Sequence, residues 1–441
     1  MMNRKILALI SLLLCIVSVL SCVSCSADSD GDYSESATNG YSDIYSDVLE
    51  LKPTEKSSGK KTEKRTEKKT TEKATEIKLV PGVSKTDIAL TDKTYTFANM
   101  SAAQQKLFKM STRVQPNSDG LIFDYSCSTI EFQGYMTGDV IIEISSKENH
   151  AYGNSFFTVY VDGKRSDTRF EVPKGSTKKL TVANFKGEYF HTVEIVKQTE
   201  FKWSLATVKS LNITGYLIDA PKEKDYYVEF LGDSLTTAYG NIGKPGNEPS
   251  DSPKYQDGTK SYAYLFAESI GADSFILARS AAGINQCWSN EPILNYYKKL
   301  SKNRSNDDFN VKSARKPDLM VIHLGANDYN VARENGSISS SERQSFIDNG
   351  KKLVQYIRDS YGTDVPIIWA YDPGEEMSKG TGKEANEIKQ ILNSFGGESA
   401  GYYTLALAWS EAGAGGHPSA NEHQKHAKLL LDLVLSKNII K

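Results

Sequence analysis

Two patterns of apolar and polar positions divide the folded part of the chain. Between about Val80 and Asp219, short runs rich in β-branched and aromatic residues recur at close intervals, with no amphipathic stretch of helix length between them. The runs are "STIEFQGYM", "GDVIIEIS", "FFTVYVDG", "KKLTVANF", "YFHTVEIVKQTE" and "VKSLNITGYLI". Such runs are typical of strands, and Asp162-Gly163 in the third is a strong hairpin signal. The pattern predicts an antiparallel, jelly-roll-like β-sandwich.

After Tyr226 the pattern changes. The apolar runs "YYVEFLG", "DSFILARS", "PDLMVIHLG", "VPIIWAY" and "YYTLALAWS" alternate with helix-like segments such as "SYAYLFAESIG", "RQSFIDNGKKLVQYIRDS" and "ANEHQKHAKLLLDLVLSK". Apolar strands that alternate with helices indicate a parallel sheet covered on both faces. The pattern predicts a three-layer, flavodoxin-like α/β domain with a parallel five-stranded sheet. Its ligand site is expected beyond the carboxyl ends of the strands.

The N-terminal residues have the pattern of a targeting segment. A basic pair precedes an apolar run at 6–20, which is shorter than a comfortable membrane span but typical of a signal peptide. "VLSCVSC" closes the run, and a small residue before cysteine resembles a bacterial lipoprotein cleavage site. Cys22 or Cys25 would then carry the lipid, and an ordinary secretory signal is the alternative. We expect an extracellular or cell-surface protein on a lipid anchor.

Residues 26–79 are of low complexity. They are acidic at first and then rich in Thr, Glu and Lys, with "TEK" repeated. Such a segment buries too little apolar surface to offset the entropy lost on ordering, so we interpret it as a disordered spacer. The predicted organisation is therefore a signal segment (1–25), this linker (26–79), the sandwich (80–219) and the α/β domain (220–441).

Charge and cysteine content narrow the function classes. The formal net charge is −2, which argues against a nucleic-acid partner because phosphate contact needs clustered positive charge. Cys127 and Cys287 fall in different predicted domains, so we expect no disulfide between them. The spacing of the cysteines does not indicate a metal site.

Four candidate residues follow four of the predicted parallel strands: Ser234 in "FLGDS", Gly283 in "ARSAAGI", Asn327 in "HLGAND" and His417 in "GAGGHPS". Each taken alone has an ordinary interpretation as a turn, loop or cap residue. Together, at one end of the sheet, they favour an active site for acyl transfer. Serine is a weak nucleophile until a base such as histidine takes its proton. Backbone N–H groups of Ser234 and Gly283, with the side-chain amide of Asn327, are suited to surround the oxyanion.

These blocks ("GDS", the downstream glycine, "GAND" and the late "HP") resemble those of the SGNH (GDSL-type) hydrolases, from about Tyr226 to the C-terminus. A β-sandwich ending in "HTVEIVKQTE" before such a domain is similar to carbohydrate esterase family two, over about Val80 to Lys441. The resemblance implies deacetylation of plant polysaccharides, with a preference for sugar 6-O-acetyl groups. It implies no cofactor and no metal.

The sequence departs from the SGNH pattern beside the histidine. SGNH enzymes usually place an aspartate three residues before it, and that position here is Ala414. We therefore expect a dyad of Ser234 and His417, with Nδ1 of His417 held by a backbone carbonyl. Glu411 is the alternative third partner. Loss of the carboxylate costs stabilisation of the imidazolium but leaves the base in place.

Three further interpretations concern the end of the chain. Ser419 and Glu422 have the pattern of a capping box, which predicts that the last helix begins directly after His417. His423 and His426 share a face of that helix. With His417 they could form a metal cluster, but the chemistry does not require one and we expect none.

The remaining candidates have less specific signals. Asp233 is expected to shape the turn by hydrogen bonding, and His323 to pack in the core. Trp288 and Trp409 follow the second and fifth parallel strands. Each is suited to stacking on a sugar ring, and core packing is the alternative.

The expected function is that of a monomeric serine esterase acting on acetylated polysaccharides or oligosaccharides, without a cofactor. Peptidoglycan acetyl groups and lipid esters are alternative substrates, although the sequence offers no long apolar lid for a lipid. A carbohydrate-binding surface protein with a catalytically weak hydrolase domain is the second class of function. The missing aspartate favours that class, whereas the presence of Ser234, Asn327 and His417 disfavours it.

Overall fold

The computed structural model describes residues 89–148, 153–247, 253–285, 291–301, 308–334, 338–373 and 383–440. The predicted signal segment and linker lie outside these residues, as do Cys22, Cys25, Cys287 and Trp288. Two sheets follow one another along the described chain, within one compact unit.

The first sheet is antiparallel and has nine strands among the described residues. They are β1 (Asp92–Thr96), β2 (Lys109–Met110), β3 (Leu121–Phe123), β4 (Thr129–Glu148), β5 (Ser155–Val161), β6 (Lys164–Arg165), β7 (Phe170–Val172), β8 (Thr177–Lys197) and β9 (Ser204–Leu217), with a short helix α1 (Ala102–Gln105) after β1. Apolar side chains from β3, β4, β5, β8 and β9 enclose one buried core. Asp162 and Gly163, both with positive φ, form the predicted turn between β5 and β6. The predicted β-sandwich is confirmed.

Two pairs of apolar runs that the sequence analysis treated as separate strands are single strands. "STIEFQGYM" and "GDVIIEIS" belong to β4, and "KKLTVANF" and most of "YFHTVEIVKQTE" belong to β8. Gly138 (φ 65°) and Gly187 (φ 94°) lie at the joins, where the left-handed backbone favours glycine. The register of β4 against β8 shifts between Met136 and Gly138. Gly138 therefore marks a β-bulge and not a chain reversal.

The second sheet is parallel, with the order β11-β10-β12-β13-β14 among the described residues. Its strands are β10 (Tyr226–Gly232), β11 (Ala272–Ala278), β12 (Leu319–His323), β13 (Ile367–Tyr371) and β14 (Tyr402–Ala406). The accompanying helices are α2 (Ser234–Thr237), α3 (Tyr262–Ser269), α4 (Ile293–Tyr297), α5 (Ala326–Glu334), α6 (Ser340–Tyr361), α7 (Lys383–Asn393) and α8 (Ala420–Lys437). The strand order reverses at β10, which favours a ligand site at the carboxyl end of that strand.

Both faces of the parallel sheet are buried, as the apolar strands predict. Side chains of α3 and α8 pack on one face, and those of α4, α6 and α7 pack on the other. The three-layer α/β domain is therefore confirmed. No helix in the described ranges is both long enough and apolar enough to cross a bilayer.

Arg113 joins the sandwich to the α/β domain. It follows β2 and is buried, with 3% of its surface exposed. Its guanidinium donates to the carbonyl oxygen of Tyr297 at 2.8 Å and lies 4.4 Å from the ring centroid of Phe309. A buried charge needs such partners, so the seam between the two sheets is specific and not merely apolar.

Candidate active site

Ser234 lies at the carboxyl end of β10 and is the first residue of α2. Asp233 is the N-cap of that helix, and its Oδ1 accepts a hydrogen bond from the N–H of Leu235 at 2.9 Å. A Cβ added at Gly232 would lie 2.1 Å from Oγ1 of Thr236, so the close turn from strand to helix requires glycine. The "GDS" residues thus fix the position of the serine through local packing and capping.

The imidazole of His417 reaches this serine. Its Nε2 lies 2.8 Å from Oγ of Ser234, and its Nδ1 lies 2.9 Å from the carbonyl oxygen of Gly415. Because a carbonyl oxygen can only accept, Nδ1 carries the hydrogen and Nε2 is free to accept from the serine hydroxyl. The backbone carbonyl that we expected in place of an aspartate is present.

Ala414, at the position of the missing aspartate, is fully buried. Its N–H donates to the carbonyl oxygen of Gly240 at 2.9 Å, and a Cβ added at Gly243 would lie only 2.5 Å from the Cβ of Ala414. Gly415 and Gly416 have φ of 64° and 66°, a conformation that favours glycine. The glycine pair thus supplies, through its backbone, the partner for His417 that no side chain supplies.

Glu411, the alternative third partner, is exposed. Its carboxylate accepts from Nδ2 of Asn421 at 3.2 and 3.3 Å, while the Nδ1 of His417 contacts Gly415. The structure therefore gives Glu411 a different partner from the one that the alternative requires.

The predicted start of the last helix is confirmed, because α8 begins directly after Ser419. Oγ of Ser419 accepts from the N–H of Glu422 at 3.3 Å. The N–H of Ser419 donates instead to the carbonyl oxygen of Glu411 at 3.0 Å, and Glu422 binds Lys425 at 2.8 Å. Only one half of the predicted capping box forms, since the carboxylate of Glu422 is used by the lysine.

Burial lowers the pKa of His417 below its usual value of 6.5, and the positive charge of Lys202 lowers it further. The carbonyl of Gly415 and the carboxylate of Asp372 act in the opposite direction. The net lowering keeps the imidazole neutral near pH 7, the form that can accept a proton.

Two aromatic side chains pack in series next to the imidazole of His417. The ring centroid of Tyr239 lies 4.7 Å from that of His417, and Trp203 stacks on Tyr239 at 5.9 Å. Nζ of Lys202 lies 5.3 Å from the centroid of Tyr239. Lys202 and Trp203 belong to the sandwich, whose contribution to the surroundings of His417 the sequence analysis missed.

The side chain of Asn327 contacts the residue that precedes Gly283. Nδ2 of Asn327 donates to the carbonyl oxygen of Ala282 at 2.8 Å and to Oδ2 of Asp233 at 3.1 Å. Both hydrogens of the amide therefore have acceptors, and an oxyanion would share or replace one of them. The carbonyl oxygen of Gly283 accepts from the N–H of Ile293 at 3.0 Å. The segments that contain Gly283, Asn327 and His417 thus meet beside Ser234.

Asp328 holds the chain directly after Gly283. Its Oδ2 accepts from the N–H of Ile284 at 2.9 Å, and its Oδ1 accepts from the N–H of Asn285 at 2.6 Å. The side chain is 2% exposed. Sequence reasoning missed this role, although the place of Asp328 in "GAND" was a signal that could have pointed to it.

Asp233 is buried beside these groups. Burial raises the pKa of Asp233 to about 7, and the charges of Asp328 and Asp372 raise it further, while the hydrogen bond from Leu235 opposes the shift. Its contacts are with Leu235 and Asn327. These contacts agree with the expected hydrogen-bonding role at the turn.

Trp409 follows β14 and is half-buried. Its Nε1 donates to Oδ2 of Asp372 at 3.0 Å, which fixes the orientation of the indole. Stacking of Trp409 on a sugar stays a prediction, and Trp288 lies outside the described residues.

Three buried histidines surround Tyr262, whose hydroxyl lies 3.0 Å from Oγ1 of Thr236 in α2. The ring centroids of His323, His423 and His426 lie 5.5, 6.2 and 6.4 Å from that of Tyr262. Burial lowers the pKa of His323 to about 3, so its imidazole stays neutral and packs as part of the core. In the described part of the chain no group of three or more His, Cys, Asp or Glu side chains could hold a metal ion.

Comparison with known proteins finds relatives of both domains. Residues 228–408 match the GDSL-like Lipase/Acylhydrolase family, and residues 111–221 match the Carbohydrate esterase 2 N-terminal family. The two matches fall on the α/β domain and on the sandwich, so the chain is similar in both parts to family two carbohydrate esterases.

Two curated proteins are similar to this chain over two thirds or more of its length. It is 29% identical over 327 residues to the cellulase/esterase CelE of Acetivibrio thermocellus, a match that covers 71% of this chain and 37% of CelE. It is 24% identical over 329 residues to the acetylxylan esterase / glucomannan deacetylase of Cellvibrio japonicus, covering 67% of this chain and 89% of that protein. This chain therefore spans little more than a third of the length of CelE.

Solved structures share the two-domain fold. A family two carbohydrate esterase from Clostridium thermocellum in complex with cellohexaose is similar with a TM-score of 0.64 at 24% identity, covering 75% of this chain and 99% of that one. An acetyl xylan esterase (Est2A) from the rumen bacterium Butyrivibrio proteoclasticus has a TM-score of 0.67 at 16% identity, covering 80% and 100%. At these identities the likeness concerns the fold.

Proposed function

We propose that this chain is a serine esterase that removes O-acetyl groups from plant cell-wall polysaccharides of the xylan or mannan type, with a preference for 6-O-acetyl groups. The observation that carries the proposal is the 2.8 Å contact between Nε2 of His417 and Oγ of Ser234. The names of the curated relatives, a cellulase/esterase and an acetylxylan esterase / glucomannan deacetylase, support the substrate class.

In the first step Oγ of Ser234 attacks the acetyl carbonyl carbon while Nε2 of His417 takes the hydroxyl proton. The protonated imidazole then gives this proton to the sugar oxygen as the ester bond breaks, which leaves an acetyl group on the serine. The hydrogen bond from Nδ1 to Gly415 keeps Nε2 directed at the serine throughout. In the second step water attacks the acetyl carbon while His417 takes a proton from it, and the imidazole then gives this proton to Oγ of Ser234 as the bond to the acetyl group breaks and acetate leaves.

The developing negative charge on the carbonyl oxygen needs hydrogen-bond donors. In the proposed mechanism these are the N–H groups of Ser234 and Gly283 and the amide of Asn327. Asn327 donates to Ala282 and Asp233 in the described structure, so the oxyanion displaces or shares one of these acceptors. One such donor is worth about 10²–10³ in rate.

The proposal extends to the setting of the enzyme. We propose that it acts as a monomer outside the cell, on a lipid anchor at Cys22 or Cys25, with 26–79 as the spacer. Mass spectrometry of the mature N-terminus would identify the lipidated residue, and an N-terminus without acyl chains would contradict the anchor.

The test of the reaction is acetate release from acetylated xylan, acetylated glucomannan and O-acetylated peptidoglycan, compared side by side. We expect release from the two plant polysaccharides, and NMR of the products should show loss of 6-O-acetyl groups first from glucomannan. The S234A variant should lose nearly all turnover, including that of 4-nitrophenyl acetate. Equal turnover by S234A would refute the nucleophile, and release from peptidoglycan alone would favour the alternative substrate.

A catalytically weak carbohydrate-binding protein is the second candidate function. The observation that favours it is that, within the described ranges, Nδ1 of His417 contacts the carbonyl oxygen of Gly415 and no carboxylate. Retained binding to insoluble polysaccharide, with no acetate release, would support this second function.

A further inference from the structure

One segment of the sandwich lies against the proposed active site. Residues 198–203 connect β8 to β9, and Glu200 is the last residue of the "HTVEIVKQTE" motif. The side chain of Glu200 is 0% exposed. A buried carboxylate is costly unless hydrogen-bond donors satisfy it, so its partners show what the segment is fitted to hold.

Both donors to Glu200 belong to Ser280 of the α/β domain. Oε2 of Glu200 accepts from the N–H of Ser280 at 2.7 Å, and Oε1 accepts from the Ser280 hydroxyl. Ser280 is itself 3% exposed. It opens the loop at residues 280–285, named here the Gly283 loop, which follows β11 and contains Gly283.

Asp328 holds the other end of the Gly283 loop, through the N–H groups of Ile284 and Asn285. Two buried carboxylates therefore hold this loop, one at each end. Asp328 comes from the α/β domain itself, whereas Glu200 comes from the sandwich.

Gln256 ties the same sandwich segment to the helix that carries Ser234. Its Oε1 accepts from Nε1 of Trp203 at 2.8 Å and from the N–H of Glu200 at 3.2 Å. Its Nε2 donates to the carbonyl oxygen of Thr237, in α2, at 2.9 Å. Residues 198–203 are thus connected both to the Gly283 loop and to the nucleophile helix.

We propose that Glu200 is a positioning residue, contributed by the sandwich, that sets the Gly283 loop against Ser234 so that its backbone N–H meets the oxyanion. The inference rests on the proposed esterase function. It gives the sandwich a part in catalysis that does not depend on whether the sandwich binds carbohydrate. Donors aimed at the oxyanion act only when they are held in place beforehand, so loss of the carboxylate should reduce turnover and leave substrate binding nearly intact.

The test compares E200Q with E194Q in the full chain. Glutamine preserves the shape of Glu200 but removes its negative charge, so both hydrogen bonds to Ser280 lose their charge assistance and the hydroxyl has to turn to accept one of them. Glu194 lies on β8, six residues earlier in the chain, and burial raises its pKa to about 8. Because Glu194 is already protonated at pH 7, E194Q is a matched change that should leave activity within about twofold.

For E200Q we expect kcat to fall roughly tenfold with 4-nitrophenyl acetate while KM changes less than about twofold, as for an interaction made only in the transition state. Affinity for a boronic acid that forms a tetrahedral adduct with the serine should fall by a similar factor. A lower Tm with kcat unchanged per folded molecule would show a purely structural role and overturn the proposal. Equal losses in E200Q and E194Q would also overturn it.

Hydrogen–deuterium exchange separates this inference from the proposed function. In the full chain, peptides that cover residues 280–285 should exchange faster in E200Q than in the wild type, and at the wild-type rate in E194Q. Unchanged exchange in E200Q would refute the positioning role whatever the activity. If the wild type releases no acetate, the proposed function fails, and a positioning role in catalysis fails with it even where the exchange shows that Glu200 holds the loop.

Discussion

The two loops that form the candidate site are held by different kinds of contact. The loop at residues 411–419, which carries His417, is fixed by its backbone: the N–H of Gly413 donates to the carbonyl of His417 at 2.7 Å, and the N–H of Ala414 donates to the carbonyl of Gly240 at 2.9 Å. The Gly283 loop is fixed by the buried carboxylates of Glu200 and Asp328. The first loop depends on backbone contacts alone in this comparison, whereas the Gly283 loop has a backbone bond from Ile293 to Gly283 and depends in addition on two buried carboxylates.

The difference predicts where each loop is vulnerable. A loop held by backbone contacts tolerates most changes of side chain but not a change at a glycine with positive φ. A loop held by carboxylates tolerates ordinary surface changes but not the loss of one acceptor, because a buried donor is then left unsatisfied. Substitutions of each kind therefore test how each loop is held.

The largest effect is expected for D328N, which puts an amide N–H₂ against one of two N–H donors next to Gly283. We expect kcat/KM to fall on the order of 100-fold, within the range for loss of an oxyanion donor. The measurement is steady-state hydrolysis of 4-nitrophenyl acetate. D348N is the control, because Asp348 is exposed on α6; a D328N enzyme as active as D348N would show that the carboxylate does not hold the loop.

A smaller loss is expected for G415A, which forces an alanine to φ 64°. The left-handed conformation costs about 1–2 kcal/mol for a residue with a Cβ, so the carbonyl should move away from Nδ1 of His417. We expect kcat to fall roughly tenfold, the equivalent of about 1.4 kcal/mol. G163A is the matched control, since Gly163 has φ 76° and open space around it in the sandwich. Unchanged kcat in G415A would mean that this carbonyl does not orient the base.

The third substitution is expected to shift the pH dependence of kcat/KM and not to lower its maximum. The charge of Lys202 lowers the pKa of His417, so K202M should raise that pKa. Because the neutral imidazole is the active form, the acid limb of the kcat/KM profile should move to higher pH, with the plateau unchanged. K254M is the control: Lys254 lies over Tyr255 at 4.7 Å, in the same kind of contact. An acid limb that stays in place, or that moves to lower pH, would contradict the prediction.

The smallest effect on activity is expected in the histidine cluster around Tyr262, which belongs to neither loop. His323 has its pKa lowered to about 3 in the folded chain, so only the unfolded chain binds this proton between about pH 3 and 6.5. The free energy of unfolding should therefore fall as the pH drops below 6.5, by up to about 1.4 kcal/mol per pH unit for one such histidine. H323L should lower this slope by about one proton in urea titrations; an unchanged slope would contradict it.

The sequence placed the four main candidates correctly relative to the strands, because the carboxyl ends of parallel strands share one edge of the sheet. Ser234 and His417 could therefore be paired although they are far apart in the chain. What the sequence could not indicate was contact between elements of different domains. The local sequence "KQTE" does not indicate that Glu200 contacts Ser280. The local sequence "FKW" does not indicate that Lys202 lowers the pKa of His417. Each interaction depends on how the two sheets pack against one another.

The remaining differences between the sequence predictions and the structure occur at glycines. The local sequence around Gly138 cannot distinguish a turn between two strands from a bulge within one strand, because both place a glycine at positive φ. In "AGAGGHP" the glycines carry no functional group, so their contribution to His417 became visible only as the direction of the Gly415 carbonyl. The residue type gives little indication of a contact that the backbone makes.

The route of residues 198–203 has a practical consequence. An α/β half transplanted onto a foreign scaffold would lose Glu200, Lys202 and Trp203 together. Chimaeras that exchange sandwiches between relatives therefore need to keep these six residues with the α/β half, although they belong to the sandwich by chain order. The smallest portion to exchange as one unit is the α/β half together with residues 198–203.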